Sequence, residues 1–157
     1  MKPSPTEKRI LDRMAPGVLC REGFLGTDAR PLQEILDTDR STLERLGCTH
    51  EQLAERLGRV CEAAMAACGA PVSVEGGRLM AEYREAMGQI PCPWADAARR
   101  PKGEVECTDP QTGRSLVYTP LAVHLIEAHG FYQGRGSRYR LEPADVAAVF
   151  RLDEQDE

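Results

Sequence analysis

Apolar positions recur at helical spacing through the first 70 residues and change to short alternating runs after Pro71. Ile10, Leu11 and Met14 fall on one face of a helix predicted over residues 6–15, which Pro16-Gly17 stops. Residues 18–27 are punctuated by glycine and read as an ordered loop. A second helix is predicted from Ala29, capped by Asp28, to Leu46, with Leu32, Ile35, Leu36, Leu43 and Leu46 on its apolar face. Thr38-Asp39 is a candidate interruption, and Gly47 closes the helix as a left-handed residue. The third helix has the plainest signal. Thr49-His50-Glu51-Gln52 has capping-box form, and Leu53, Leu57, Val60, Cys61, Ala64, Met65 and Cys68 form a stripe that ends at Gly69 and Pro71.

Val72-Ser73-Val74 alternates like a strand and runs into Gly76-Gly77, a two-residue hairpin signal. Residues 78–87 fit either a strand or a helix, and the strand is favoured near Gly77 because it completes the hairpin. Residues 95–103 read as a polar loop. A second hairpin joins Val105-Glu106-Cys107 to Ser115-Leu116-Val117-Tyr118 across the turn-rich residues 109–113. Thr119 is placed to cap a helix opened by Pro120 and ended near Gly130. Residues 131–141 are expected as a third hairpin or an extended arm, and Pro143 opens a last helix carrying Val146, Val149 and Phe150. The expected fold is therefore α+β, with a helical half (1–70) packed on a mixed half (71–152) holding a small antiparallel sheet and two helices. An acidic tail (153–157) is expected to fray.

Composition narrows the function classes. Apolar residues are 41% of the 157, enough for a real core, while aromatics are only 5%, so the core is mainly aliphatic. A formal net charge of −5 argues against broad phosphate binding, because nucleic-acid proteins usually carry a basic footprint. No secretory h-region opens the sequence and no apolar run approaches the length of a membrane span, so a cytoplasmic, membrane-free protein is expected. In that compartment the six cysteines are expected to be reduced and mostly buried as small apolar residues.

Three constellations could carry chemistry. Cys107 on a hairpin, followed by His124 and His129 on a helix, has the order of a ββα zinc finger. The signature fails, because the nearest preceding cysteine, Cys92, is 15 positions away. Five residues also rotate the two histidines by roughly 140° around a helix. His129 then shares the face of Leu121, Ala122, Leu125 and Ile126, and His124 lies with Glu127 on the other side. On this reading the two do not converge, and neither a metal nor another cofactor is expected. Cys92 sits between prolines in Ile90-Pro91-Cys92-Pro93-Trp94, a rigid extended segment. It is a candidate nucleophile only if a histidine lies beside it, which the sequence does not place.

The third constellation is the segment from Phe131 to Arg140. It contains Arg135, Arg138 and Arg140 and no acid, so its local charge is +3 against −5 for the chain. Tyr132, Arg135, Ser137, Arg138 and Arg140 are the candidate ligand-binding residues. The arginines offer forked donors, and Gly134 and Gly136 would let the backbone approach a ligand. If the arm is a strand, Arg138 and Arg140 share a face and are expected to contribute little to stability. The segment could also form the wing of a winged helix. However, residues 120–129 contain no Lys or Arg, which makes a poor recognition helix. The reading this favours is a non-enzymatic binding or regulatory module for an anionic small molecule or acidic protein surface. Nucleic-acid association through the arm, and an enzyme using Cys92, are the alternatives.

Overall fold

The computed structural model describes residues 2–154. The last three residues of the predicted tail lie outside the described residues. Five helices and two antiparallel sheets form an α+β fold among those described. Helices α1 (Pro5–Met14), α2 (Leu32–Leu46) and α3 (His50–Ala66) come first, and α4 (Pro120–His129) and α5 (Pro143–Val149) come last. Strands β1 (Val72–Val74), β2 (Leu79–Arg84), β5 (Glu104–Thr108) and β6 (Ser115–Tyr118) form a four-stranded sheet in the order β1-β2-β5-β6. Between β2 and β5 the chain leaves this sheet and makes a separate two-stranded ribbon, β3 (Gln89–Pro91) with β4 (Arg99–Pro101). No helix among the described residues is long and apolar enough to cross a membrane.

One core lies between the four-stranded sheet and α3, α4 and α5. Leu79, Ala81 and Tyr83 alternate inward from β2, opposite Val105 and Cys107 of β5, and meet Leu53, Leu57 and Val60 of α3. The buried Tyr118 hydroxyl donates to the Leu57 carbonyl at 2.7 Å, so the one polar atom this ring carries inward is satisfied. A second core joins α1, α2 and the opposite side of α4. It contains Met14, Phe24, Ile35, Ile90, Cys92, Leu121, Leu125 and Phe131. Helix α4 is apolar on two sides because it divides the two cores, with Leu121 and Leu125 in one and Ala122 and Ile126 in the other.

Several local expectations change. Helix α2 begins at Leu32 rather than Ala29, because Pro31 disfavours helical backbone in the residue before it. Asp28 caps nothing; its carboxylate accepts from the Arg30 guanidinium at 2.9 and 2.6 Å and from the Arg135 amide at 3.0 Å. Asp39 does not interrupt α2 but turns inward from it, only 3% exposed. The β1–β2 turn uses four residues, 75–78, rather than two. Cys68 leaves the stripe, exposed and left-handed (φ 54°) past the end of α3.

Residues 131–141 contain neither strand nor helix. They are a turn-rich segment laid on the loop at residues 24–28. The Gly134 amide donates to the Phe24 carbonyl at 2.9 Å and the Thr27 amide to the Arg135 carbonyl at 3.0 Å. The segment's glycines serve this docking. A Cβ on Gly134 would lie 2.4 Å from the Leu25 carbonyl oxygen, and one on Gly136 would lie 2.7 Å from Thr27 Oγ1.

Candidate metal centre

The β3–β4 ribbon, whose second strand lies in the stretch 95–103 read from sequence as a loop, carries a compact connection from Cys92 to Ala98. Pro91 and Pro93 fix the backbone on either side of Cys92. The Cys92 amide donates to the Ala98 carbonyl at 2.9 Å and the Ala95 amide to the Cys92 carbonyl at 3.0 Å. Arg13 of α1 braces the connection through the Pro93 carbonyl. Ala95 and Ala97 are both left-handed (φ 57° and 73°), a conformation that costs a residue with a Cβ roughly 1–2 kcal/mol. Asp96 stands between them. Such backbone persists only where its surroundings fix it, and here the Ala98 amide donates to Asp96 Oδ1 at 3.1 Å.

The carboxylate faces α4. Asp96 Oδ2 lies 2.7 Å from His124 Nε2 and 2.8 Å from His129 Nε2. Cys92 Sγ lies 3.5 Å from the same His129 nitrogen. One ligating atom from each of Cys92, Asp96, His124 and His129 falls within 4.8 Å of all the others. The histidines therefore converge, contrary to the reading of their helical spacing. Side chains on a helix lean toward its N-terminus, which carries His129 back over the turn of His124. Each imidazole is also long enough to reach round the helix toward a group lying between them. Their ring centroids are 5.5 Å apart, with planes 82° from parallel. His129 also leaves the aliphatic face assigned to it and lies against Trp94 of the ribbon connection.

Burial alone would push the Asp96 carboxyl upward. Hydrogen bonds from His129, His124 and the Ala98 amide outweigh this and hold it well below the usual carboxylate range. Burial also pushes the Cys92 thiol up to about 11, against the pull of the Trp94 amide that donates to the sulfur. A thiol raised this far is a poor nucleophile near neutral pH, although a histidine is now beside it. A bound metal would displace that proton and take the thiolate directly.

The donor set also fits. Sulfur, carboxylate oxygen and two imidazole nitrogens are the ligands zinc takes in tetrahedral sites. Bond lengths of about 2.3 Å to sulfur and 2.0–2.1 Å to nitrogen place those two atoms roughly 3.5–3.6 Å apart on a tetrahedron edge. The Cys92–His129 separation of 3.5 Å meets that spacing. Asp96 Oδ2, in contrast, stands at hydrogen-bond distance from both imidazoles, closer than the roughly 3.3 Å edge of such a tetrahedron, so the carboxylate would move outward on binding.

The residues expected from sequence to bind a ligand are placed differently from one another. Tyr132 is 1% exposed, and its hydroxyl lies 2.9 Å from His50 Nδ1. Arg140 is partly buried, its side chain 9% exposed, and grips Asp39 at 2.6 and 2.9 Å and Glu142 at 3.1 Å. Arg138 is exposed beside Glu22 and Glu104, at 3.4 and 3.2 Å. Ser137 donates to the Gln133 side chain, and Arg135 is exposed. Arg138 and Arg140 therefore do not share a face. Asp96 was missed altogether, because its strand pair is three residues long and built from Arg99-Arg100-Pro101. No known family, curated protein or solved structure matches this chain.

Proposed function

We propose that this chain is a metal-binding module that holds one zinc ion with Cys92, Asp96, His124 and His129. The observation that carries the reading is the convergence of four ligating atoms, from two elements far apart in sequence, within 4.8 Å. The left-handed alanines beside Asp96 support it, since they belong to the turn that holds the carboxylate toward α4. Thiolate and imidazole donors favour zinc over magnesium or calcium, which prefer oxygen. Four protein ligands would complete a tetrahedral shell, which fits a structural ion rather than one that activates water. Zinc would tie the ribbon connection to α4, and Trp94 and Arg13 would hold the connection for it. This keeps the expectation of a non-enzymatic module and replaces the expectation of no metal. Competition against a chromophoric chelator tests it. Tight 1:1 zinc binding by the wild type, lost in Cys92→Ser and His129→Ala, is expected. Equal zinc uptake by all three proteins would exclude the site.

Anion binding by residues 131–140 remains a second reading, favoured by the position of Arg138 on the rim of a cleft. Pairing of Arg138 and Arg140 with acidic side chains gives the nucleic-acid reading no support.

A further inference from the structure

The opposite end of α4 presents a different chemistry. Thr119 occupies the position before the helix with extended backbone, yet its hydroxyl makes no capping bond. It is 3% exposed and has no side-chain hydrogen bond among the described residues. An N-cap threonine normally accepts from an amide of the first turn. Here the hydroxyl lines a cleft of about 240 Å³ between the loop at residues 20–24, β3 and residues 133–139.

Gln133 lines the same cleft at 4% exposure, held in left-handed backbone (φ 70°). Ser137 donates to its Oε1, and Arg140 donates to its backbone carbonyl at 2.8 Å. With Oε1 taken, the amide nitrogen is the end left without a partner among the described residues. Lys102 lines the cleft too and forms no ion pair among those residues. Arg138 stands at the rim, shared with Glu22 and Glu104. Phe24 and Ile90 supply apolar wall. Two donors on buried residues, three cations (Arg21, Lys102 and Arg138) against the one acid Glu22, and the positive end of a helix favour an anion. The apolar wall favours one with a hydrocarbon body. The cleft is smaller than the roughly 300–1,000 Å³ of drug-sized sites, so the ligand is small.

We propose that this cleft binds a small carboxylate with an apolar body, its oxygens held by Thr119 Oγ1 and Gln133 Nε2 and its charge met by Lys102 and Arg138. Ser137 and Arg140 are positioning residues that orient Gln133. The site stands apart from the metal reading and does not depend on it.

Titrating the ¹⁵N-labelled protein with isobutyrate and with benzoate, with and without zinc, tests the proposal. Saturable shifts are expected at the Thr119, Leu121 and Gln133 amides, whether or not zinc is bound. Isobutyramide, benzamide and inorganic phosphate are expected to leave them in place. Lys102→Ala, at an exposed position that leaves the fold alone, and Gln133→Glu are each expected to weaken binding about tenfold or more, as losing a hydrogen bond to a charged group does. Unmoved amides with both carboxylates, equal shifts with the amides or phosphate, or wild-type affinity in Lys102→Ala would overturn it.

Discussion

His129 lies flat against Trp94, with ring centroids 4.2 Å apart and planes 6° from parallel. The contact sets the plane of the imidazole and so the direction of Nε2, which points to Asp96 and Cys92. Trp94 is itself held edge-on by Phe131 at 5.4 Å. The aromatic pair therefore orients a ligating group without supplying one. Outer contacts of this kind typically change metal affinity by roughly 10–100-fold when removed. Trp94→Leu is expected to weaken zinc binding at least tenfold while leaving the stoichiometry at one. A chelator-competition titration measures both.

Arg140 and Arg138 are two residues apart and are expected to behave oppositely. Arg140→Ala leaves the Asp39 carboxylate buried inside α2 without its partner. Breaking a buried pair from one side costs about 3–5 kcal/mol. Arg138→Ala removes an exposed pairing and is expected to cost under about 0.5 kcal/mol. Urea denaturation of the two variants separates these outcomes. Similar losses in both would mean that Asp39 is satisfied some other way.

Much of the fold can be read from the chain. The capping box at Thr49, the stripe of α3, the β5–β6 hairpin and the Pro120–Gly130 helix all appear where local signals agree with packing. The site was far less legible. The β3 and β4 strands are three residues each and lack alternation, so no local pattern announces a ribbon. Without the ribbon, Asp96 is one more acid in a polar stretch, and Cys92 has no neighbour. The histidines were visible, but helical spacing alone treats side chains as spokes. It omits their length, their lean and what lies between them. The arginine segment failed for the converse reason. Its composition resembles a binding arm, but acids more than 100 residues earlier in the chain claim Arg138 and Arg140. A usable signal for the site does exist: Pro-Cys-Pro-Trp followed shortly by Asp, then two histidines five apart on one helix.

His50 supplies a pH dependence. Burial lowers its pKa from the usual 6.5, against the raising influence of Glu51 and Asp39, with Arg40 lowering it further. In the unfolded chain it takes up a proton more readily than in the folded one. Stability is therefore fully present above the unfolded value and falls as pH drops through about 6.5 toward the lower folded value. Losses from carboxylates held low, such as Asp28 and Glu104, come at more acid pH. Thermal melts between pH 8 and pH 5 are expected to show a decline in the wild type below about 6.5 that is smaller in His50→Gln. Parallel curves for the two proteins would assign the decline to other groups.

The local structure around zinc is the most direct measure of the central claim. X-ray absorption at the zinc edge, on protein loaded with one equivalent, reads the ligands themselves. One sulfur at about 2.3 Å with three nitrogen or oxygen neighbours near 2.0–2.1 Å is the expected shell. It should lose its sulfur in Cys92→Ser and keep it in Cys107→Ser. A shell of nitrogen and oxygen alone in the wild type, or a sulfur that survives removal of Cys92, would contradict the assignment.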